Sequence, residues 1–318
     1  MGGGSGGAAG APPAGEGGNG GVAAGGASGE GGTVAGGAGG AGGGAVPDPT
    51  LVELAVEAGT FTSLVAALEA ADLAEALSGE GPFTVFAPDD AAFAAFEQEN
   101  PGVLASLSTD ELTAVLTYHV LAAEVLSTDL VDGSIAETLN GAYVGIELGD
   151  GVKVGGANVT EADLVASNGV IHVIDRLILP PGENLVETAV SAGSFTQLAA
   201  ALVATGLDAT LADGGPFTVF APTDDAFDAF EAANPGVLGS LTEAALADIL
   251  LYHVVDGWVG AADLVDGSSV PTLLADASLT IDLSSGVVVN ESSVVAANVL
   301  ATNGVIHVID EILLPPSP

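Results

Sequence analysis

Leu51, Leu54, Ala55 and Ala58, and then Leu64, Val65 and Leu68, fall three or four residues apart, the spacing of one helix face. Gly59 divides them into two short helices. The second is expected to run on through Leu73 and Leu77 until the Gly-Glu-Gly-Pro of 79–82 stops it. Phe83–Phe86 is short, β-rich and bounded by prolines, which predicts a buried strand with Phe83 and Phe86 in the core. Pro88-Asp89-Asp90 reads as a helix start, with acids near the positive end of the dipole and Phe93 and Phe96 turned inward. Ser108 and Glu111 have capping-box spacing, and the following helix carries Leu112, Val115, Leu116 and His119 on one stripe. Apolar residues then alternate with others through Tyr143–Leu148 and Val152–Val154 around the Gly-Asp-Gly of 149–151, a hairpin pattern. An apolar strand from Gly169 to Leu179 closes the unit before Pro180-Pro181. Helices first and strands later predict an α+β fold with helices packed on a mostly antiparallel sheet.

The whole pattern is written twice. Phe83–Pro88 returns letter for letter as Phe217–Pro222, Tyr118-His119 as Tyr252-His253, and Asn168–Asp175 as Asn303–Asp310. A period of about 135 residues exceeds a solenoid unit of about 20–50 and matches a whole domain. Two copies of one domain are therefore expected, over 48–182 and 183–318, each large enough to bury a core.

Residues 1–47 are nearly all Gly, Ala and Ser, with Glu16 and Glu30 as the only charges before Asp48. Such a segment buries too little to offset the entropy of ordering, so a disordered tether is expected there. No basic and apolar leader follows Met1. The expectation is a mature, secreted or surface-anchored form whose leader has been removed, with a lipid anchor upstream of the tether. No apolar run reaches the ~18 uninterrupted residues of a membrane span.

Cysteine is absent, which excludes disulfides and thiol chemistry. The chain has 2 Lys and Arg against 42 Asp and Glu, a formal net charge of −40. Nucleic acid, which needs clustered cations, is excluded as a partner, and so are anionic membrane surfaces. Self-repulsion at this charge strains the compact state, and screening relieves it. The melting temperature should accordingly rise between dilute buffer and molar NaCl; a flat profile would sink the repulsion argument.

Candidate chemistry is sparse. The 4 histidines occupy two equivalent positions per copy, His119 and His253, His172 and His307, each inside an apolar run that suits a neutral core residue. No metal site and no cofactor are expected, since no convergent ligand set is apparent. Ser167, His172 and Asp175 suggest a hydrolase triad, but the second copy has Thr302 for Ser167 and no nucleophile elbow occurs, so no catalytic residue is assigned. Asp89-Asp90 and Asp224-Asp225 lack a calcium-loop pattern and read as helix-start acids. Asn158-Val159-Thr160 and Asn290-Glu291-Ser292 are candidate glycosylation acceptors.

Phe83–Pro88 leading into Asp89-Asp90-Ala91-Ala92-Phe93 resembles the first signature box of fasciclin-like (FAS1) domains. Phe217–Pro222 leading into Thr223-Asp224-Asp225-Ala226-Phe227 fits it more closely. Asn168–Asp175 and Asn303–Asp310 resemble the second box, and the two Tyr-His pairs stand where that family carries its own. The resemblance implies that each copy is a wedge of two small β-sheets flanked by helices. It implies a secreted or surface-tethered, non-catalytic adhesion protein whose partner is an extracellular protein or glycan. Tyr118, His119, Tyr252 and His253 thereby become candidate binding residues, with the exposed contact expected from the following segments, 120–129 and 254–263. Trp258, which stands where the first copy has Glu124, is expected to be either a lid on its own domain or a binding anchor. Two linked modules that both engage would gain about 10²–10⁴ in avidity. Two rival readings stand beside adhesion: a matrix component assembled through the Gly-rich arm, and a small-ligand or metal-binding module.

Overall fold

A computed structural model describes residues 48–316. The tether expected over 1–47 lies outside the described residues.

The first copy runs α1 (Leu51–Ala58), α2 (Thr62–Ala70), α3 (Ala74–Leu77), β1 (Phe83–Pro88), α4 (Asp90–Glu99), α5 (Val103–Ser106), α6 (Thr109–Tyr118), β2 (Val120–Leu121), β3 (Ile135–Glu137), β4 (Tyr143–Leu148), β5 (Val152–Val154), β6 (Ala157–Ala166) and β7 (Gly169–Ile174). The second repeats it as α7 (Leu185–Ala192), α8 (Thr196–Thr205), α9 (Leu207–Asp213), β8 (Phe217–Pro222), α10 (Asp224–Ala233), α11 (Val237–Ser240), α12 (Glu243–Tyr252), β9 (Val254–Asp256), β10 (Ser269–Pro271), β11 (Ser278–Asp282), β12 (Val288–Val289), β13 (Ser292–Ala301) and β14 (Gly304–Ile309).

Strand order is β2-β1-β7-β6-β5-β4-β3 in the first copy and the same with β9-β8-β14-β13-β12-β11-β10 in the second. β1 and β7 lie parallel, Phe83 opposite Gly169 through Pro88 opposite Ile174, so the two most faithfully repeated segments are neighbours. The other pairings are antiparallel. The N-terminal end of β6 pairs with β5, and the register to β7 shifts twice between Val159 and Leu164. Asp163 sits in that irregularity with φ +60°. The bend divides the strands into two small leaves that share β6, a wedge.

Alternation assigns the two faces of the central strands. Val85, Ala87, Ile171 and Val173 face the helical block with Leu51, Phe61, Leu64 and Leu68. Phe86 and Ile174 face the inside of the wedge with Tyr118, Val144, Val154 and Ile178. Phe86 and Phe220 are 0% and 1% exposed, as the pattern predicts, whereas Phe83 and Phe217 are only half-buried at the strand starts, against the helical side.

Thr50 and Glu53 cap α1, and Ser108 and Glu111 cap α6 as the spacing predicts. The helix expected to run through Leu77 instead breaks at Asp72, which adopts φ +56°, and restarts as α3. Gly206 makes the same left-handed break in the second copy with φ +68°. Asp90 is more than a helix-start acid. It accepts from the Thr62 hydroxyl at 2.7 Å and the Ser63 N–H at 2.7 Å, capping α2, whose own N-cap Phe61 has no side-chain acceptor. Asp224 does the same for Thr196 and Gln197. Burial raises the carboxyl pKa of both, but these hydrogen bonds outweigh it and hold them below the ordinary value.

Candidate functional site

The Tyr-His pairs close α6 and α12. Tyr118 and His119 are 3% and 2% exposed, and Tyr252 and His253 likewise. The Tyr118 hydroxyl donates to the Tyr143 carbonyl at 2.8 Å, and burial pushes its pKa up to about 12. The His119 ring donates from Nδ1 to the Val115 carbonyl at 2.8 Å and accepts the Ile178 N–H on Nε2 at 3.2 Å. His253 repeats this with Ile249 at 2.7 Å and Leu313 at 3.0 Å. One nitrogen donates and the other accepts, so both rings are neutral. Burial lowers the pKa of both to about 4, against the opposing effect of the backbone hydrogen bond. These side chains are internal ties between the helix end and the strand-exit segment. They are too deeply buried to touch a partner themselves.

The second box is a set of ties as well. The Asn168 side chain accepts the Leu51 N–H at 2.9 Å and donates to the carbonyls of Leu77 at 2.9 Å and Gly79 at 2.8 Å. Beside it, the Ser167 N–H reaches the Pro49 carbonyl at 2.9 Å. Asn303 holds Leu185, Leu211 and Gly214 in the same way, and the Thr302 N–H reaches Glu183 at 2.8 Å. A Cβ on Gly169 would lie 2.0 Å from the Phe83 carbonyl oxygen, which explains the glycine after the asparagine. His172 donates to the Val125 carbonyl at 2.8 Å, accepts the Asp163 N–H and stacks on Phe86 at 5.7 Å. His307 does the same with Val259, Asn298 and Phe220.

The remaining candidates are also engaged. Asp175 accepts from the backbone and side-chain amides of Asn158, so Ser167, His172 and Asp175 form no relay. The amide nitrogen of Asn290 donates to the Tyr252 hydroxyl at 3.0 Å, and that of Asn158 donates to Asp175 at 2.6 Å. A glycan on either nitrogen would leave it one N–H and would have to fit beside those contacts. Among the described residues no three His, Asp or Glu side chains converge as metal ligands, and no helix is long and apolar enough to cross a membrane.

The loops after the two Tyr-His pairs are built alike but meet different surroundings. In each, a buried threonine accepts one loop N–H and donates to a loop carbonyl: Thr84 with Val125 and Ala123, Thr218 with Val259 and Gly257. In the first copy Ala122, Ala123, Glu124, Thr128 and Asp129 are exposed. In the second the loop lies against the first copy. Trp258 stacks on Tyr143, ring centres 4.4 Å apart, and is neither a lid on its own core nor a free anchor. Ala262 donates its N–H, and Asn298 its side-chain amide, to the Gly133 carbonyl at 3.1 and 2.8 Å. Burial, then the carboxylates of Glu137 and Asp263, raise the Tyr143 phenol pKa. Sequence reasoning singled out Trp258 but not Tyr143, Gly133 or Asn298. The available signal was that Asn298 stands where the first copy has Asp163.

The family model described as the Fasciclin domain matches residues 59–180 and again 193–315. Protein sll1483 of Synechocystis sp. is 50% identical over 137 residues, which cover 42% of this chain and 74% of that protein. Transforming growth factor-beta-induced protein ig-h3 of Oryctolagus cuniculus is 33% identical across 86% of this chain and 40% of its own length. Periostin of Homo sapiens is 31% identical across 78% of this chain and 30% of its own length. The chain thus spans less than half of these two animal relatives. A solved FAS1 domain pair from the insect cell adhesion molecule fasciclin I is 21% identical, with a TM-score of 0.40, covering 82% of this chain and 95% of that one. The chain belongs to the fasciclin-domain family and carries two of its domains in tandem.

Proposed function

We propose that this is a non-catalytic adhesion protein, secreted or held at a surface, that contacts an extracellular protein or glycan mainly through its first copy. Its domains extend over 48–182 and 183–318. The observation that carries the reading is the inequality of the two Tyr-His corners: the loop of the second is engaged by the first copy, and that of the first is open. This argues for one principal contact surface rather than two equal ones joined by avidity. Its exposed Glu124 and Asp129 favour a partner offering positive charge or N–H donors. The Tyr-His side chains serve by fixing the loop.

Adhesion of the native chain to matrix or cells should fall at least tenfold, about 1.4 kcal/mol, in a Glu124→Lys, Thr128→Lys variant whose melting is unchanged. Trp258→Ala should leave adhesion per folded molecule nearly intact. The opposite pattern, loss with Trp258→Ala alone, would move the partner site to the second copy.

A further inference from the structure

The contact between the copies joins two different faces, so it is heterologous. An interface of that kind continues from chain to chain unless the outer faces are made unable to repeat it. The inner faces are the 258–262 loop with Asn298, from copy two, and the β3–β4 edge with Gly133, Ile135 and Tyr143, from copy one. Each has an outward-facing equivalent. Glu124, Leu126 and Asp163 in copy one correspond to Trp258, Gly260 and Asn298, because the same loop hydrogen bonds place them. Gly267, Ser269 and Ser278 in copy two correspond to Gly133, Ile135 and Tyr143 by strand pairing and by the tyrosine hydroxyl that each edge accepts.

The decisive pair is Asn298 and Asp163. Both are left-handed, with φ +57° and +60°. Both accept the N–H of the loop turn through Oδ1, from Ala261 at 2.9 Å and from Ser127 at 2.8 Å. They differ in the second atom. Asn298 offers an amide that donates to the Gly133 carbonyl at 2.8 Å. Asp163 offers a carboxylate oxygen, already accepting from the Ser127 hydroxyl, which would face the Gly267 carbonyl of a second chain. Two acceptors face to face repel, and the carboxylate would be desolvated with no new donor gained in return. The other positions agree. Glu124 replaces the stacking Trp258, and Ser278 replaces the Tyr143 it stacks on. A Cβ on Gly260 would lie 3.1 Å from Ile135 Cγ1, so glycine there admits Ile135, whereas copy one carries Leu126 and copy two Ser269.

We propose that the tandem joint is built to form once, inside the chain, and that Asp163, Glu124, Ser269 and Ser278 bar its repetition between chains. The native protein then stays a single chain, with its open loop kept free of copies of itself. Light scattering in molar salt, where net repulsion is screened, gives the test. The native chain should show one-chain mass at all concentrations. A Glu124→Trp, Leu126→Gly, Asp163→Asn, Ser269→Ile, Ser278→Tyr variant should associate end to end, its mass growing with concentration. Restoring Asp163 in that variant should weaken association at least tenfold. A folded variant that remains a single chain, or a native chain that associates through the Glu124 face, overturns the proposal. The joint itself is read independently by Trp258, the only tryptophan. Asn298→Asp should shift its emission to the red and raise collisional quenching severalfold with the circular dichroism unchanged. Unaltered emission would overturn the role given to that amide even where the five-substitution variant fails to fold.

Discussion

Phe86→Ala should lower the unfolding free energy by about 3–5 kcal/mol, the range for truncating a large aromatic inside a core. The side chain is fully buried within the wedge, stacks on His172 at 5.7 Å, and its N–H is held by the His119 carbonyl at 2.8 Å. The cavity would open between two leaves fixed by their own ladders, so relaxation into it is limited. Phe220→Ala should do the same to the second copy, where Phe220 stacks on His307 at 5.3 Å. Phe83→Ala should cost clearly less, because that ring is half-buried. Denaturant melts followed separately for each copy measure all three. A loss below about 1 kcal/mol at Phe86 would mean that the wedge interior is not packed as described.

Lowering the pH through the range below 6.5 should destabilise both copies through His119 and His253. Their folded pKa, about 4, lies below the ordinary histidine value. Between those two values the unfolded chain binds protons that the folded chain refuses. Stability is therefore complete above the unfolded pKa and declines as pH falls toward 4, at about 1.4 kcal/mol per pH unit for each ring. The pair amounts to a loss on the order of 6 kcal/mol by pH 4. Carboxylate protonation relieves self-repulsion but also weakens the Asp90 and Asp224 caps, whose folded pKa lies below the ordinary value, so the measurement belongs in molar salt and above the carboxylate range. Denaturant melts across this range, with the ring resonances followed by NMR, decide the matter. Imidazoles that charge near 6.5 in the folded protein would contradict the internal-tie role.

What the chain discloses in its letters, and what it conceals, follows from local versus distant causes. The strand Phe83–Pro88, the α6 capping box and the Tyr143–Val154 hairpin are legible because short-range pattern produces them. β6 is not legible although it is one of the longest strands. Its Asn-Val-Thr-Glu-Ala-Asp run carries acids on an open face, and the left-handed Asp163 breaks the period-two alternation. The strand expected to reach Leu179 stops at Ile174, because Asp175 turns its carboxylate back to Asn158. The break at Asp72 is hidden in the first copy, since Asp does not announce a left-handed turn, and is visible in the second as Gly206. The meeting of Trp258 with Tyr143 could not be read at all. It depends on how two domains lie against each other, which no window of sequence contains.

The asparagine clamp has a mechanical consequence. Asn168 pins the entry of the first copy, at Leu51, to the start of β7, and the chain leaves that copy at the far end of the same strand. Tension applied through the ends of the copy is thus carried along one six-residue strand, a span of about 20 Å. Helices and outer strands hang beside that line of force rather than in it. The parallel neighbour β1 flanks that strand along its whole length, Phe83 opposite Gly169 through Pro88 opposite Ile174. β14, with Asn303 at its start, gives the second copy the same tie rod in series.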